Sequence, residues 1–310
     1  MALIKAVNAR DYLSPRYWPT WYALAVMRFV AMLPLPLLVF AGKCVGKLLY
    51  VFVPGRRKIA EINLRIAFPE ASDGEIKRLL KASIENIGVA AFEIGFSWWQ
   101  QDRLFALCKV DGLDNLRVAQ QSGLGIILLG AHFTCVDVGG PVINHYAPMY
   151  VNYKGAKNKL FDAFTTYHRN KLYPSLVEHR KPINMIRGLK KGYAAWYLPD
   201  HDLFSRDSIF VPFFGVAATA LTTTSRIARI TRSHVVPFSI KRNGDNRGYT
   251  VTFFPALDDF PSDDIEQDTL RINQTLERLI LQNPEQYLWA HKRYKNRPKG
   301  SSPIYPQTKS

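Results

Sequence analysis

Residues 125–140 read GIILLGAHFTCVDVGG, and this stretch decides the architecture. Four aliphatic residues, Ile126 to Leu129, stand between glycines. A short apolar run with turn residues at both ends suits a strand buried on both faces, as strands of a parallel sheet are. His132 follows at once, and Val136–His145 then takes up helical spacing. Further strands are expected at AAWYLPD (194–200), HVVPFSI (234–240) and YTVTFFP (249–255). Helices are expected over Leu160–Arg169, Ile183–Lys190, Ala218–Ile230 and Asp264–Leu281. Strands alternating with helices make the fold class α/β, with a largely parallel sheet flanked by helices.

Upstream of this domain the chain is more apolar. Trp18 to Val53 reads WPTWYALAVMRFVAMLPLPLLVFAGKCVGKLLYVFV, with Trp18, Trp21 and Tyr22 where an interfacial aromatic belt would lie. The uncharged core between Arg28 and Lys43 is short for a perpendicular crossing, although both cations can snorkel. Pro34 and Pro36 should kink a continuous helix. We read residues 1–55 as an N-terminal membrane-associated segment that either spans or dips. The slight excess of cations after it leans toward a cytoplasmic catalytic domain. Residues 56–298 form the α/β domain, and 299–310 a polar tail expected to be frayed. From Arg56 to Trp99 the pattern is helical, with Ser72 and Glu75 spaced as a capping box.

The chain carries 41 Lys and Arg against 25 Asp and Glu, a formal charge of +16. Such a surplus needs an anionic partner: nucleic acid, a bilayer or a phosphorylated substrate. No stacking or groove-reading module accompanies the cations, which argues against nucleic acid. Three scattered cysteines form neither a disulfide framework nor a zinc spacing.

In parallel sheets, active groups gather where strands end and helices begin. His132 stands there, with Asp137 five residues later in the first helical turn. Across such a turn the two can converge, the carboxylate fixing the tautomer and leaving the other ring nitrogen as a base. A core histidine beside a helix-capping aspartate has the same spacing, so the pair alone does not decide. Cys135 lacks a glycine-flanked elbow, and no Gly-x-Ser-x-Gly motif or phosphate loop occurs. In the run Asp200-His201-Asp202, neighbouring side chains diverge and no second ligand pair completes a metal set. Asp200 remains a candidate because it also ends a strand.

GAHFTCVDVGG resembles the His-four-residues-acid motif of the lysophospholipid acyltransferase superfamily. More closely, the chain is similar to the late acyltransferases of lipid A biosynthesis, the lauroyl and myristoyl transferases. The likeness extends through YLPDHDLFSRDSIFVPFFGVAATALTTTSRIA (197–228), PEQYLWAHKRYKNRP (284–298) and INLRIAFPE (62–70). It implies acyl transfer without a cofactor or metal, from a thioester on acyl carrier protein to a hydroxyl of a lipid A precursor, at the inner membrane. His132 then matches the general base and Asp137 its acidic partner, where many relatives carry Glu. Arg169 matches an arginine near the polar end of the substrate. Lys154 stands where relatives often have Arg, exchanging a bidentate donor for a point charge. Backbone N–H groups of the Gly130–Thr134 turn are expected to steady the oxyanion. Cations from Lys154 to Arg187 would face acceptor phosphates or the acidic carrier. The alternative acceptor is a lysophospholipid or another lipid.

Overall fold

The computed structural model describes residues 8–153, 155–178 and 182–306. Two short 3-10 turns, Ala9–Tyr12 and Pro15–Tyr17, lead into α1 (Trp18–Met32) and α2 (Leu35–Phe52). The two prolines separate these helices instead of kinking one. Pro34 precedes the first helical residue and Pro36 sits in the first turn, where a missing N–H costs no helical bond. Next come α3 (Pro54–Ala67) and α4 (Asp73–Trp99), whose start carries the expected capping box: Glu75 N–H donates to Ser72 Oγ, and Ser72 N–H to Glu75 Oε2.

Among the described residues, α2 alone is long and apolar enough to cross a membrane, with 18 residues and mean hydropathy 1.7. One of its faces is spent on α4. A Cβ at Gly46 would lie 2.4 Å from the Cα of Glu85, and one at Gly88 would lie 2.3 Å from the carbonyl oxygen of Gly42. Backbones this close require glycine, and the contact ties α2 to the body. The opposite face exposes Leu37, Phe40, Leu48, Val51 and Phe52.

The body follows as α5 (Gln101–Leu107), β1 (Cys108–Asp111), α6 (Leu113–Gln121), β2 (Ile126–Leu129), α7 (Val136–Tyr146), β3 (Met149–Tyr153), α8 (Lys159–Leu172) and β4 (Ser175–Glu178). After these lie α9 (Pro182–Lys190), β5 (Ala194–Tyr197), β6 (Ser208–Phe213), β7 (Val216–Leu221), α10 (Thr223–Thr231), β8 (His234–Arg242), β9 (Tyr249–Phe253) and α11 (Ile265–Gln282). Seven strands form one sheet in the order β1-β9-β8-β2-β5-β3-β4, parallel except where β8 meets β9. All four residues of β2 are buried, as the aliphatic run requires.

Two further expectations fail. The helix read over Ala218–Ile230 begins only at Thr223, because residues 216–221 pair with 208–213 as an antiparallel hairpin. Its two-residue turn, Phe214-Gly215, has both φ angles positive, as a twisted hairpin prefers. The tail is also anchored at one point. Tyr305 is buried, and its hydroxyl donates to Asn63 Oδ1 at 2.5 Å while accepting from the Tyr294 N–H.

Candidate active site

β2 and β5 are neighbouring parallel strands, and each delivers one functional side chain beyond its C-terminal end. The register that pairs Leu129 with Tyr197, carried on through the Gly130 N–H bond to the Tyr197 carbonyl, sets His132 opposite Asp200. The imidazole Nδ1 lies 2.6 Å from Asp200 Oδ1, and the His132 backbone N–H donates to Oδ2 at 3.0 Å. Asp200 is 1% exposed and His132 partly so. With Nδ1–H directed at the carboxylate, Nε2 is the ring's free acceptor.

The expected imidazole partner was Asp137, and the structure gives that bond to Asp200 instead. Asp137 sits in the first turn of α7 and accepts from Arg169 Nη2 of α8 at 3.0 Å. The Arg169 guanidinium also lies over the Tyr153 ring. Asp137 stays close enough for its charge to act on His132. A Cβ on Gly140 would strike the Tyr173 hydroxyl, so this glycine lets α7 pack closely against Tyr173. Lys154, Arg180 and Lys181 lie outside the described residues. Lys157, Lys159, Lys171 and Arg187 are exposed.

Burial opposes a charge on His132, but the charge and hydrogen bond of Asp200, followed by the charge of Asp137, outweigh it, so its pKa stands above the ordinary 6.5. Burial likewise opposes ionisation of Asp200, and the charge and hydrogen bonds of His132 with the help of His201 reverse that, holding the carboxyl well below its usual range. The two directions agree on one state: an ionised Asp200 bound to an imidazole that readily accepts a proton.

The C-terminal segment closes the site from behind. Leu288 N–H donates to the His132 carbonyl, Thr134 N–H donates to the Gln286 carbonyl, and Phe133 bridges to Tyr287. The Gln286 side chain in turn bonds the backbone N–H and C=O of Arg242, whose guanidinium is held by Glu93 and Asn86. The N–H groups of Gly130, His132, Phe133 and Thr134 are therefore all engaged, which leaves these four unavailable to an oxyanion.

A family model describing bacterial lipid A biosynthesis acyltransferases matches residues 6–296. The chain belongs to that family. The lipid A biosynthesis lauroyltransferase of Escherichia coli K12 is 36% identical over 290 residues, 93% of this chain and 95% of that protein. The palmitoleoyltransferase of the same organism is 33% identical over 299 residues, 96% of this chain and 97% of that protein. A lipid A biosynthesis acyltransferase of Haemophilus influenzae is 33% identical over 297 residues, covering 94% and 95%. These relatives favour a lipid A acceptor over a lysophospholipid.

In this lipid A acyltransferase, His132, Asp200 and His201 bring donor atoms within 4.8 Å of one another. The two imidazole planes are parallel to within 8°, so their lone pairs run side by side and do not converge on a cation. Cys135 is fully buried, its Sγ against the Ile240 carbonyl and the Gln286 side chain, and burial pushes its pKa far up, which is unsuited to a nucleophile. An apolar groove of about 310 Å³ adjoins the site, lined by Leu49, Val53, Ile84, Ile87, Leu288 and Ala290 together with Arg56 and His291.

Asp200 was legible as a strand end, but its pairing depends on strand order. His201 and His291 carried no spacing signal. Their rings stack face to face, and His201 stacks on His132 in turn.

Proposed function

We propose that the chain transfers a fatty acyl group from a thioester on acyl carrier protein to a hydroxyl of a lipid A precursor, with His132 as general base. The observation that carries this reading is the double contact of Asp200 with His132. A buried carboxylate that receives Nδ1–H fixes the tautomer and compensates the imidazolium that forms. Nε2 of His132 takes the hydroxyl proton as the oxygen attacks the thioester carbonyl. The C–S bond breaks as the tetrahedral adduct collapses, and the proton passes from the imidazolium to the departing thiolate. No covalent enzyme intermediate is needed.

Asp137 and Arg169 take the other side of the site. Arg169 is suited to an acceptor phosphate, and Asp137 both orients it and adds negative charge near His132. Lys154 is assigned to the same anionic acceptor. The apolar groove that includes His291 receives an acyl chain, since its lining is aliphatic apart from Arg56 and His291 and it lies beside the end of α2. The exposed aromatic and aliphatic face of α1 and α2 sits in the inner membrane, with the basic body on its cytoplasmic side.

The test is His132→Ala assayed with acyl carrier protein thioesters and a lipid A precursor. General-base assistance is typically worth about 10²–10⁴-fold, and that loss of turnover is expected in a variant that still folds and binds membranes. Transfer near the wild-type rate would end the proposal. Parallel assays with coenzyme A thioesters establish the donor, since a preference for them would remove the carrier protein from the scheme.

A further inference from the structure

His132 does not stand alone above Asp200. Its ring is stacked on His201 with centroids 3.7 Å apart and planes 8° from parallel. His201 is stacked in the same way on His291, at 3.8 Å and 9°. Three imidazoles from three separate segments thus form one column. The first follows β2, the second follows β5, and the third belongs to the C-terminal segment.

The column is held on both sides. Asp202 accepts from the Thr219 hydroxyl and from both the backbone and side-chain amides of Asn296, which fixes the loop that carries His201. Leu288 N–H bonds the His132 carbonyl three residues before His291, and Arg56 Nη1 donates to the Ala290 carbonyl. Neither His201 nor His291 is there for its hydrogen bonds. His201 Nε2 and His291 Nδ1 are buried without a partner. Orphaned buried nitrogens are costly and rare, so two in one column point to a use for the flat faces.

We propose that His201, backed by His291, is a positioning residue that holds the His132 ring in the plane where Nδ1 meets Asp200 and Nε2 meets the hydroxyl. This rests on His132 being the general base. A free imidazole can rotate about χ2, and its hydrogen bond to a carboxylate restrains tilt only weakly. A parallel ring in van der Waals contact removes that freedom, and reacting atoms misplaced by an ångström cost large factors in rate. The slab must also stay uncharged, because a cation against His132 would oppose the imidazolium formed in the reaction. Burial drives His201 down to about 3, with His132, His291 and Arg293 acting the same way and Asp200 against. His291 is lowered first by burial, with His132 and Arg56 adding and Asp200 and Asp202 opposing.

The experiment compares His201→Phe with His201→Leu. Both are apolar, fill the space and remove the orphaned nitrogen, but only Phe presents a flat face. Steady-state transfer should show kcat within a few-fold of wild type for His201→Phe and reduced by about 10–100-fold for His201→Leu, with KM for the acceptor unchanged in both. The acidic limb of the kcat/KM profile should move to lower pH in His201→Leu, as His132 loses alignment with Asp200, and move little in His201→Phe. Thermal unfolding checks that both variants fold, and if His201→Leu does not, His201→Met replaces it. Equal kcat and equal pH limbs in the two variants would overturn the proposal. His132→Ala is measured alongside: if it is inactive while the two His201 variants match, only the positioning role fails. If His132→Ala is active, the general-base reading itself fails.

Discussion

Asp200 holds His132 at two points, Oδ1 on the ring Nδ1 at 2.6 Å and Oδ2 on the backbone N–H at 3.0 Å. One carboxylate therefore sets both the tautomer of the imidazole and the position of the turn that carries it. Asp200→Asn keeps the size of the side chain but offers Nδ1 an amide donor, which favours the wrong tautomer. Turnover should fall by about 10²–10⁴-fold. Acyl transfer by a variant with an intact unfolding transition is the measurement, and wild-type turnover would remove Asp200 from the mechanism.

Asp137→Asn should behave differently. It releases Arg169 from its 3.0 Å partner and removes one of the charges that raise His132. The expected outcome is a higher KM for a phosphorylated acceptor and an acidic limb shifted to lower pH, with kcat falling less than in Asp200→Asn. Arg169→Ala should share the KM effect without that direction of pH shift. Kinetics on both variants with a phosphorylated and a dephosphorylated acceptor would separate these roles. Equal KM effects on the two acceptors would argue against phosphate binding by Arg169.

Acid should destabilise the protein through its depressed histidines. Burial lowers His168 to about 4, with Lys171 and Arg28 adding to the effect, and lowers His201 to about 3. Such groups are neutral when folded and protonate when unfolded. Their contribution is complete above pH ~6.5 and is lost as pH falls toward 3–4. His132 acts in the opposite sense: its raised pKa favours the folded state below pH ~6.5, and this is lost as pH rises through the folded value. His168 stacks on Trp98 at 4.9 Å with its Nε2 buried and unpartnered. His168→Phe should therefore flatten the acid side of a melting-temperature profile, and an unchanged slope below pH 6 would contradict the assignment.

The seam between α2 and α4 should tolerate no added methyl. Gly88→Ala would place a Cβ 2.3 Å from both the Gly42 carbonyl oxygen and the Gly46 nitrogen. Backbone cannot yield as a flexible side chain does, so the helices must separate, at about 1–3 kcal/mol. Gly55, whose added Cβ would meet nothing within 4 Å, provides the control. Thermal unfolding in detergent compares them, and equal stability of Gly88→Ala and Gly55→Ala would refute the close packing.

The sequence made β2, β5, β8, β9 and the helices around them legible, because each is a strong local pattern. β1, β3 and β4 were not, since Cys108–Asp111 and Ser175–Glu178 carry mixed polarity and gain their strand form only from neighbours in the sheet. Val216–Leu221 holds three alanines that favour helix, and pairing with Ser208–Phe213 overrides them. At the site, the turn after β2 identified His132, and Asp200 stood out as another strand end. Their union depends on β5 lying beside β2, a contact between residues 68 apart that no local spacing reports. Asp137 was the nearer carboxylate in sequence, and Arg169 claims it in space.

The bridge between Phe133 and Tyr287 has a consequence for biogenesis. A nascent chain makes α1, α2 and every strand of the seven-stranded sheet before the turn bearing His132 is braced. That bracing waits for Gln286 and Leu288, which are synthesised long after the turn itself. A product that stops short of Gln286 would therefore carry His132 on an unbraced turn and should be inactive.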